Sequence, residues 1–209
     1  MSLLSSPPGR AFAALRDRVL LPRLMAAGVR PDRLTWAGLA LALLVPPAFL
    51  ASAWLGLAVM LASGLADALD GALARATGQA TPGGAFLDST LDRAADFLYL
   101  AGLWLLMLGL GASPAPSALL CFSAALLSFL VSYAKARGEA LGASCEVGRM
   151  ERAPRFLFLA ALALAAALFP AVALAILWWG LGAFWLLTLW TVAVRVRHVR
   201  AQLGDGRDK

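Results

Sequence analysis

The amino-acid sequence predicts an all-α integral membrane protein, with six transmembrane helices preceded by an N-terminal amphipathic juxtamembrane helix. Of its 209 residues, 61% are hydrophobic and the mean hydropathy is +0.79, which is more apolar surface than a soluble domain of this length can bury. The apolar residues gather in six stretches of helix length, separated by glycine, proline or charged residues. These observations exclude a single soluble domain and indicate a helical bundle within a bilayer.

The first part of the chain is a segment covering residues 1–33, which we expect on the cytoplasmic side. Within it, residues 9–27 place apolar side chains towards one side and arginines elsewhere, as in a helix that lies along the membrane interface. The apolar positions are Phe12, Leu15, Val19, Leu20 and Leu24. A basic, weakly structured segment that only sets the topology is the alternative.

The second part, residues 34–197, contains the six predicted transmembrane helices. Their approximate bounds are 34–53, 54–76, 84–111, 114–137, 155–170 and 172–194. Basic residues cluster at 10–33, 135–155 and 195–209, which six spans place on one side of the membrane. The positive-inside rule makes that side cytoplasmic, together with both termini and a polar tail at 198–209. The net charge of +6 follows from the same bias, so we expect no nucleic-acid partner.

Four aspartates form a ladder in two neighbouring apolar stretches. Asp67 and Asp70 are three residues apart and Asp88 and Asp92 are four apart, so on two helices each pair projects from one face. A carboxylate near the middle of a bilayer costs about 2.5 to 3.5 kcal/mol, so four of them require a compensating positive charge. Carboxylate oxygens alone suit hard cations such as Mg²⁺, Mn²⁺ or Ca²⁺. We therefore expect all four aspartates to bind Mg²⁺, with Mn²⁺ as an alternative and two ions per site.

Neighbouring residues suit the same site to phosphate chemistry. Gly71 and Gly84 leave room for a ligand to approach the backbone, and Arg75 adds a cation one turn after Asp70. Metal held by such a cage would bind a pyrophosphate and stabilise the departing phosphate. A carboxylate that metal does not fully occupy takes the proton of an attacking hydroxyl, and we assign this catalytic role to Asp92, the last of the ladder.

The ladder resembles the signature of the CDP-alcohol phosphatidyltransferases, D-x2-D-G-x2-A-R-x8-G-x3-D-x3-D, at every fixed position from Asp67 to Asp92. The likeness continues at residues 30–35 and 132–139, which look most like the branch that makes phosphatidylinositol phosphate. The resemblance implies a membrane enzyme of phospholipid biosynthesis, in which the hydroxyl of an alcohol attacks CDP-diacylglycerol or a related CDP-lipid and CMP leaves. It also implies a homodimer, and the same role for Asp92.

Contacts with the two substrates follow from the resemblance and from the basic clusters. The resemblance implies that the CDP part of the donor contacts Asp32, Arg33, Leu34, Thr35, Gly71, Arg75 and Thr81. We expect a cationic group to hold a phosphate on the acceptor, and its members are Lys135, Arg137, Arg152, Arg155, Arg195 and Arg197. Topology alone also places cations in these positions. Without the resemblance, Thr35 and Thr81 are ordinary cap or turn residues.

The expected acceptor is inositol phosphate, with glycerol 3-phosphate as the main alternative. Residues 132–139 and Glu151-Arg152 resemble the inositol-phosphate branch, although Ala153-Pro154 stands where that branch often has Pro-Glu. Asp96, one turn after Asp92, stays outside the metal list, because it either supports the site or pairs with Arg93.

Two other classes of protein explain part of the pattern. A prenyltransferase also binds Mg²⁺-pyrophosphate through aspartate-rich motifs, but the Gly-Ala-Arg elements and the second half of the ladder do not fit it. A transporter or channel with an acidic cation path explains carboxylates inside a membrane. It does not explain Gly71, Arg75 and a cationic group at these spacings.

Overall fold

The computed structural model describes residues 7–204, and every regular element in this part of the chain is helical. The N-terminal segment contains α1 (Pro7–Leu15), a π-helical turn (Arg16–Leu20) and α2 (Leu21–Ala26). Helical structure thus covers the stretch predicted to be amphipathic, whose position at a membrane interface stays a prediction. The end of the predicted polar tail, residues 205–209, lies outside the described residues.

Six long helices follow, one for each apolar stretch of the sequence. They are α3 (Pro31–Ala51), α4 (Ala53–Ala76), α5 (Pro82–Gly109), α6 (Pro114–Ala140), α7 (Arg152–Leu168) and α8 (Ala173–Leu203). The observed bounds lie within a few residues of the predicted ones, except that α8 continues to Leu203, well into the segment predicted as a polar tail.

The described residues contain four helices that are long and apolar enough to cross a membrane. They are α3, α4, α6 and the continuous stretch Pro170–Leu203, which includes α8. The start of α5 carries Asp88, Asp92 and Arg93, which lower its hydropathy. Helix α7 has 17 residues, or about 25 Å of helix, against about 30 Å of hydrocarbon core. The count of six spans therefore stays a prediction.

Close backbone contacts hold the helices in one bundle. Ser52 alone separates α3 from the antiparallel α4, and its hydroxyl accepts a hydrogen bond from the Leu55 amide at 3.1 Å, which caps α4. Gly102 of α5 packs on α3, where a Cβ would lie 2.8 Å from the Phe49 ring and 2.9 Å from Val45. In the second half of the chain α6 packs on α8, and α7 contacts both α8 and α4.

The two ends of the bundle differ in charge. At one end lie the turn at 77–81 and the loop at 141–151, close to the charged residues of the helices they join. At the other end, Ser52 and the turns at 110–113 and 169–172 contain no charged residue. The ladder and the basic clusters therefore share one end.

The N-terminal helical segment packs against this charged end. Leu21 of α2 forms a small buried cluster with Leu69 and Leu73 of α4, separate from the main apolar core. Just before α2, Arg16 donates to Asp17 at 2.7 Å, and this hydrogen bond lowers the pKa of the Asp17 carboxyl. The segment thus covers the side of α4 next to the ladder.

Candidate active site

The end of α4 and the start of α5 bring the aspartate ladder together. Asp67 and Asp70 lie in the last turns of α4, and Asp88 and Asp92 in the first turns of α5. One carboxylate oxygen from each of Asp67, Asp70 and Asp88 lies within 4.8 Å of the other two. Three of the four predicted ligands therefore form one cluster, which we call the aspartate cluster.

The aspartate cluster fits a divalent cation. Asp70 is only 3% exposed, and its Oδ1 accepts a hydrogen bond from the Gly71 amide. Its Oδ2 is buried and has no hydrogen-bond partner among the described residues. A buried carboxylate oxygen left unpaired is costly, and three carboxylates at this spacing repel one another unless a cation lies between them. Because all donors are carboxylate oxygens, the cluster suits Mg²⁺ or Mn²⁺.

Asp92 lies beside this cluster in an ion pair with Arg152, the first residue of α7. Arg152 Nη2 is 2.7 Å from Asp92 Oδ1. The same guanidinium donates from Nη1 and Nη2 to the two carboxylate oxygens of Asp67, at 2.5 Å from Nη1. Arg152, predicted to hold the acceptor, therefore bridges two residues predicted to bind metal.

A cavity of about 140 Å³ opens next to the aspartate cluster. Its walls include Asp70 and Asp88, together with five of the seven residues predicted to contact the donor, namely Asp32, Thr35, Gly71, Arg75 and Thr81. Arg33 and Leu34 are not among its lining residues. Residues predicted to bind metal and residues predicted to bind the donor thus line the same cavity.

Local structure places two of these donor residues beside the cavity. The Thr81 hydroxyl accepts from the Gly84 amide at 3.0 Å and caps α5, as expected of a threonine before Pro82. Arg75 folds back over Gly71, where a Cβ would lie 3.4 Å from its Nη1. An alanine at 71 would therefore touch the Arg75 guanidinium at the wall of the cavity without a clash.

Two of the predicted acceptor residues are buried and bonded within the protein. Arg155 is 2% exposed, and it donates to the Met150 carbonyl at 2.9 Å and to Asp96 at 2.7 Å. Arg195 is also 2% exposed, and its contacts are the carbonyls of Val131 and Val147, both at 2.8 Å, and Glu151 at 3.3 Å. Both arginines fix the 141–151 loop to the bundle.

The other predicted acceptor residues lie nearer the surface. Lys135 is half-buried, 3.2 Å from Glu146 and 3.8 Å from Glu139. Arg137 and Arg197 are exposed, and none of the ion pairs or hydrogen bonds in the described part of the chain involves them. Of the six predicted cations, Arg152 is the one whose ion pairs, within the described residues, reach the ladder.

Sequence reasoning missed a buried polar contact next to the ladder. The Ser63 hydroxyl donates to the Gly38 carbonyl at 2.8 Å and lies 2.8 Å from the Tyr99 hydroxyl, which joins α3, α4 and α5. The signal was present, because Ser63 precedes Asp67 by one helical turn and Tyr99 follows Asp92 by two. Polar side chains on one helix face with a carboxylate in an apolar stretch indicate a shared site.

Comparison with known proteins identifies the family of this chain. The family model of the CDP-alcohol phosphatidyltransferases matches residues 29–196, most of the chain. The chain belongs to this family. As a CDP-alcohol phosphatidyltransferase it is a multi-pass membrane enzyme of phospholipid biosynthesis, which transfers a substituted phosphate group from a CDP-linked lipid to an alcohol with the help of a divalent metal. The predicted family and enzyme class are confirmed, and the prenyltransferase and transporter alternatives are excluded.

Relatives of this phosphatidyltransferase are similar along most of their length. A phosphatidylinositol phosphate synthase of Mycobacteroides abscessus is 37% identical over 193 residues, covering 88% of this chain and 84% of the relative. An archaetidylinositol phosphate synthase of Methanothermobacter thermautotrophicus is 35% identical over 157 residues, covering 75% and 73%.

Solved structures of a Mycobacterium tuberculosis phosphatidylinositol phosphate synthase share the fold. The complex with manganese and citrate has a TM-score of 0.76 and 27% identity, covering 91% of this chain and 90% of that one. The complex with bound CDP-DAG has a TM-score of 0.73 and 28% identity, covering 87% and 94%.

Proposed function

We propose that this enzyme transfers the phosphatidyl group of CDP-diacylglycerol, or of a related CDP-lipid, to inositol phosphate, releasing CMP. The observation that carries the proposal is the position of Arg152, whose guanidinium forms ion pairs with Asp67 and Asp92. An acceptor that carries a phosphate must bind next to the aspartate ladder, and a cation at this position can hold that phosphate. The relatives named as inositol phosphate synthases support the same acceptor.

The donor occupies the cavity beside the aspartate cluster. Asp67, Asp70 and Asp88 would hold Mg²⁺ or Mn²⁺, and Asp92 would be the remaining ligand of a second ion. A bound metal neutralises the pyrophosphate and the charge that develops on the departing CMP. The backbone at Gly71 and the side chains of Arg75 and Thr81 contact the CDP part, and Asp32, Arg33, Leu34 and Thr35 complete this contact surface. The acyl chains remain in the bilayer.

The acceptor approaches from the side of Arg152. Its hydroxyl oxygen attacks the β-phosphorus of the donor, the bond from that phosphorus to the CMP oxygen breaks, and Asp92 takes the hydroxyl proton. Asp92 suits this role because it lies outside the aspartate cluster. The acceptor phosphate is held by cations at the charged end, namely Lys135, Arg137, Arg152, Arg155, Arg195 and Arg197. Within this group, the buried Arg155 and Arg195 act from positions that their bonds to the 141–151 loop fix.

The membrane arrangement belongs to the same proposal. Helices α3 to α8 all cross the bilayer, as a domain of residues 34–197 with the charged end in the cytoplasm. The N-terminal helical segment lies along the interface, and the polar tail of residues 198–209 is cytoplasmic. The uncharged turns at the opposite end support this orientation. The active unit is a homodimer.

An acceptor panel tests the proposed substrate. Purified enzyme receives mass-tagged CDP-diacylglycerol, Mn²⁺ and one acceptor per tube, and the lipid product is identified by mass. Inositol phosphate is expected to react faster than glycerol 3-phosphate, free inositol and serine. If glycerol 3-phosphate reacts fastest, the phosphate site stands and the sugar assignment is wrong. If free inositol or serine reacts fastest, the cations do not bind an acceptor phosphate.

A further inference from the structure

Arg152 makes an unusual pair of contacts for a residue that is to bind a substrate phosphate. Its guanidinium uses Nη1 and Nη2 on the two oxygens of Asp67, and Nη2 also lies 2.7 Å from Asp92. Charge-assisted, bidentate bonds of this kind are among the strongest side-chain interactions. In this arrangement Arg152 is therefore committed to two carboxylates.

These carboxylates belong to the metal-binding ladder. Asp67 is a member of the aspartate cluster, so the same carboxylate faces a cation site on one side and the Arg152 guanidinium on the other. Two cations that share one carboxylate repel each other, and the repulsion is strong at a half-buried position. Binding of a divalent cation and pairing of Arg152 with Asp67 therefore oppose each other.

Arg152 is freer to move than the other arginines that contact this part of the bundle. Arg155 and Arg195 are buried and donate to backbone carbonyls, which fixes them to the fold. The side chain of Arg152 is 32% exposed, and its hydrogen-bond and ion-pair partners among the described residues are carboxylates alone. It also lies at the first residue of α7, next to the 141–151 loop. A change of side-chain rotamer can thus move its charge while the backbone hydrogen bonds stay in place.

We propose that Arg152 is a switch between two anionic partners. It neutralises Asp67 and Asp92 until a divalent cation takes these carboxylates, and it then turns to the phosphate of the acceptor. The inference rests on the proposed metal and acceptor sites, and it adds the order in which the cation and the acceptor bind. The acceptor binds well only after the cation has released Arg152, so the two ligands bind cooperatively.

Manganese binding tests the first half of the proposal without any measurement of activity. Free Mn²⁺ is followed by electron paramagnetic resonance during titration of the full-length wild type, Arg152→Gln and Arg149→Gln. The control residue Arg149 is exposed, lies in the 141–151 loop next to Arg152 and contributes the same charge, and no ion pair of the described residues involves it.

The switch predicts that Arg152→Gln binds Mn²⁺ about tenfold more tightly than the wild type, because the competing cation is removed. Arg149→Gln should stay within about twofold, since solvent and salt screen an exposed charge. Equal or weaker binding by Arg152→Gln would overturn the switch. If the wild type itself binds no Mn²⁺, the proposed metal site is wrong, and this result is distinct from failure of the switch.

Coupling between ligands tests the second half. Because linkage is reciprocal, inositol phosphate should raise the Mn²⁺ affinity of the wild type, and this increase should be absent in Arg152→Gln. An equal increase in both proteins overturns the release of Arg152 to the acceptor. If Arg152→Gln does not fold, Arg152→Lys takes its place. A compact ammonium cannot bridge both carboxylates, so this variant should bind Mn²⁺ more tightly than the wild type, and unchanged affinity would contradict the switch.

Discussion

At the scale of single residues, the aspartates of the ladder have different surroundings and should have different roles. Asp70 is buried with one carboxylate oxygen unpaired, whereas Asp92 is paired with Arg152. Asp70→Asn should therefore lose most Mn²⁺ binding and most activity. Asp92→Asn should lose about a hundredfold or more in kcat while it retains considerable Mn²⁺ binding, because its main proposed task is proton removal. Titration with Mn²⁺ and the transfer rate are measured on the same samples.

Asp17→Asn is the matched control for this comparison, since Asp17 is an exposed aspartate outside the ladder. It should change neither Mn²⁺ binding nor turnover. Full turnover by Asp92→Asn would contradict its role as the base. Normal Mn²⁺ binding by Asp70→Asn would remove Asp70 from the metal site.

A second prediction at this scale concerns the buried ion pair of Asp96 and Arg155. Removing one partner leaves the other charge buried and unpaired, which typically costs about 3 to 5 kcal/mol. Asp96→Ala should therefore clearly lower the midpoint of thermal unfolding, measured on the protein in detergent. Asp32→Ala breaks the exposed pair with Arg30, at 3.5 Å, and should cost less than about 1 kcal/mol. Similar midpoints for the two variants would show that leaving Arg155 buried without its partner costs no more than breaking an exposed pair.

Residue spacing predicted which aspartates share a helix face, but it did not predict ion pairs between residues far apart in the sequence. The intervals in the ladder placed each aspartate pair on one helix face, and the structure brings three of the four into one cluster. The partner of Asp96 is Arg155, 59 residues away, rather than the neighbouring Arg93 considered from the sequence. Such a pairing depends on how α5 and α7 pack, and no local period in the sequence encodes it.

At the scale of helices, close packing of α3 on α5 requires a glycine at one position. A Cβ on Gly102 would lie 2.8 Å from the Phe49 ring, whereas a Cβ on Gly109 would meet nothing within 4 Å. Gly102→Ala should thus destabilise the protein by about 1 to 3 kcal/mol through overpacking. Gly109→Ala should be neutral or slightly stabilising. Thermal midpoints of the two variants test the difference, and equal midpoints would contradict tight packing of α3 on α5.

The end of α8 fastens the 141–151 loop. Gln202 accepts from the Ser144 amide at 2.9 Å and donates to the Ser144 carbonyl at 2.8 Å. Gln202→Ala should therefore speed hydrogen exchange across the loop, with the turn at 77–81 as an internal control whose exchange stays unchanged. Unchanged exchange in the loop would show that Gln202 does not hold it.

The same contacts explain where the prediction of helix bounds was wrong. Hydropathy places the end of the last helix near residue 194, because the residues beyond it are polar. In the structure α8 continues to Leu203, since Arg195 and Gln202 bind the loop and Val199 packs against Gly138. Helices that end in apolar turns were predicted closely, because their ends depend on local signals such as Ser52 and Pro114.

At the scale of the whole molecule, the proposed orientation gives a labelling prediction. In a background without Cys121 and Cys145, single cysteines at Ser113 and Ala171, both exposed, should react with an impermeant reagent added outside intact cells. Cysteines at the exposed residues Gln79 and Leu141 should react only after the cells are opened. The reverse pattern would place the active site on the side without the nucleotide donor.

The central claim is that the aspartate ladder performs metal-dependent transfer from a CDP-lipid to a phosphorylated polyol. The most direct measurement is CMP release by purified enzyme with CDP-diacylglycerol and inositol phosphate, followed as free Mn²⁺ is removed by EDTA and restored. We expect no release in EDTA, recovery on addition of Mn²⁺, and one phosphatidylinositol phosphate for each CMP. Release that continues in EDTA, or CMP without the matching lipid, would contradict the claim.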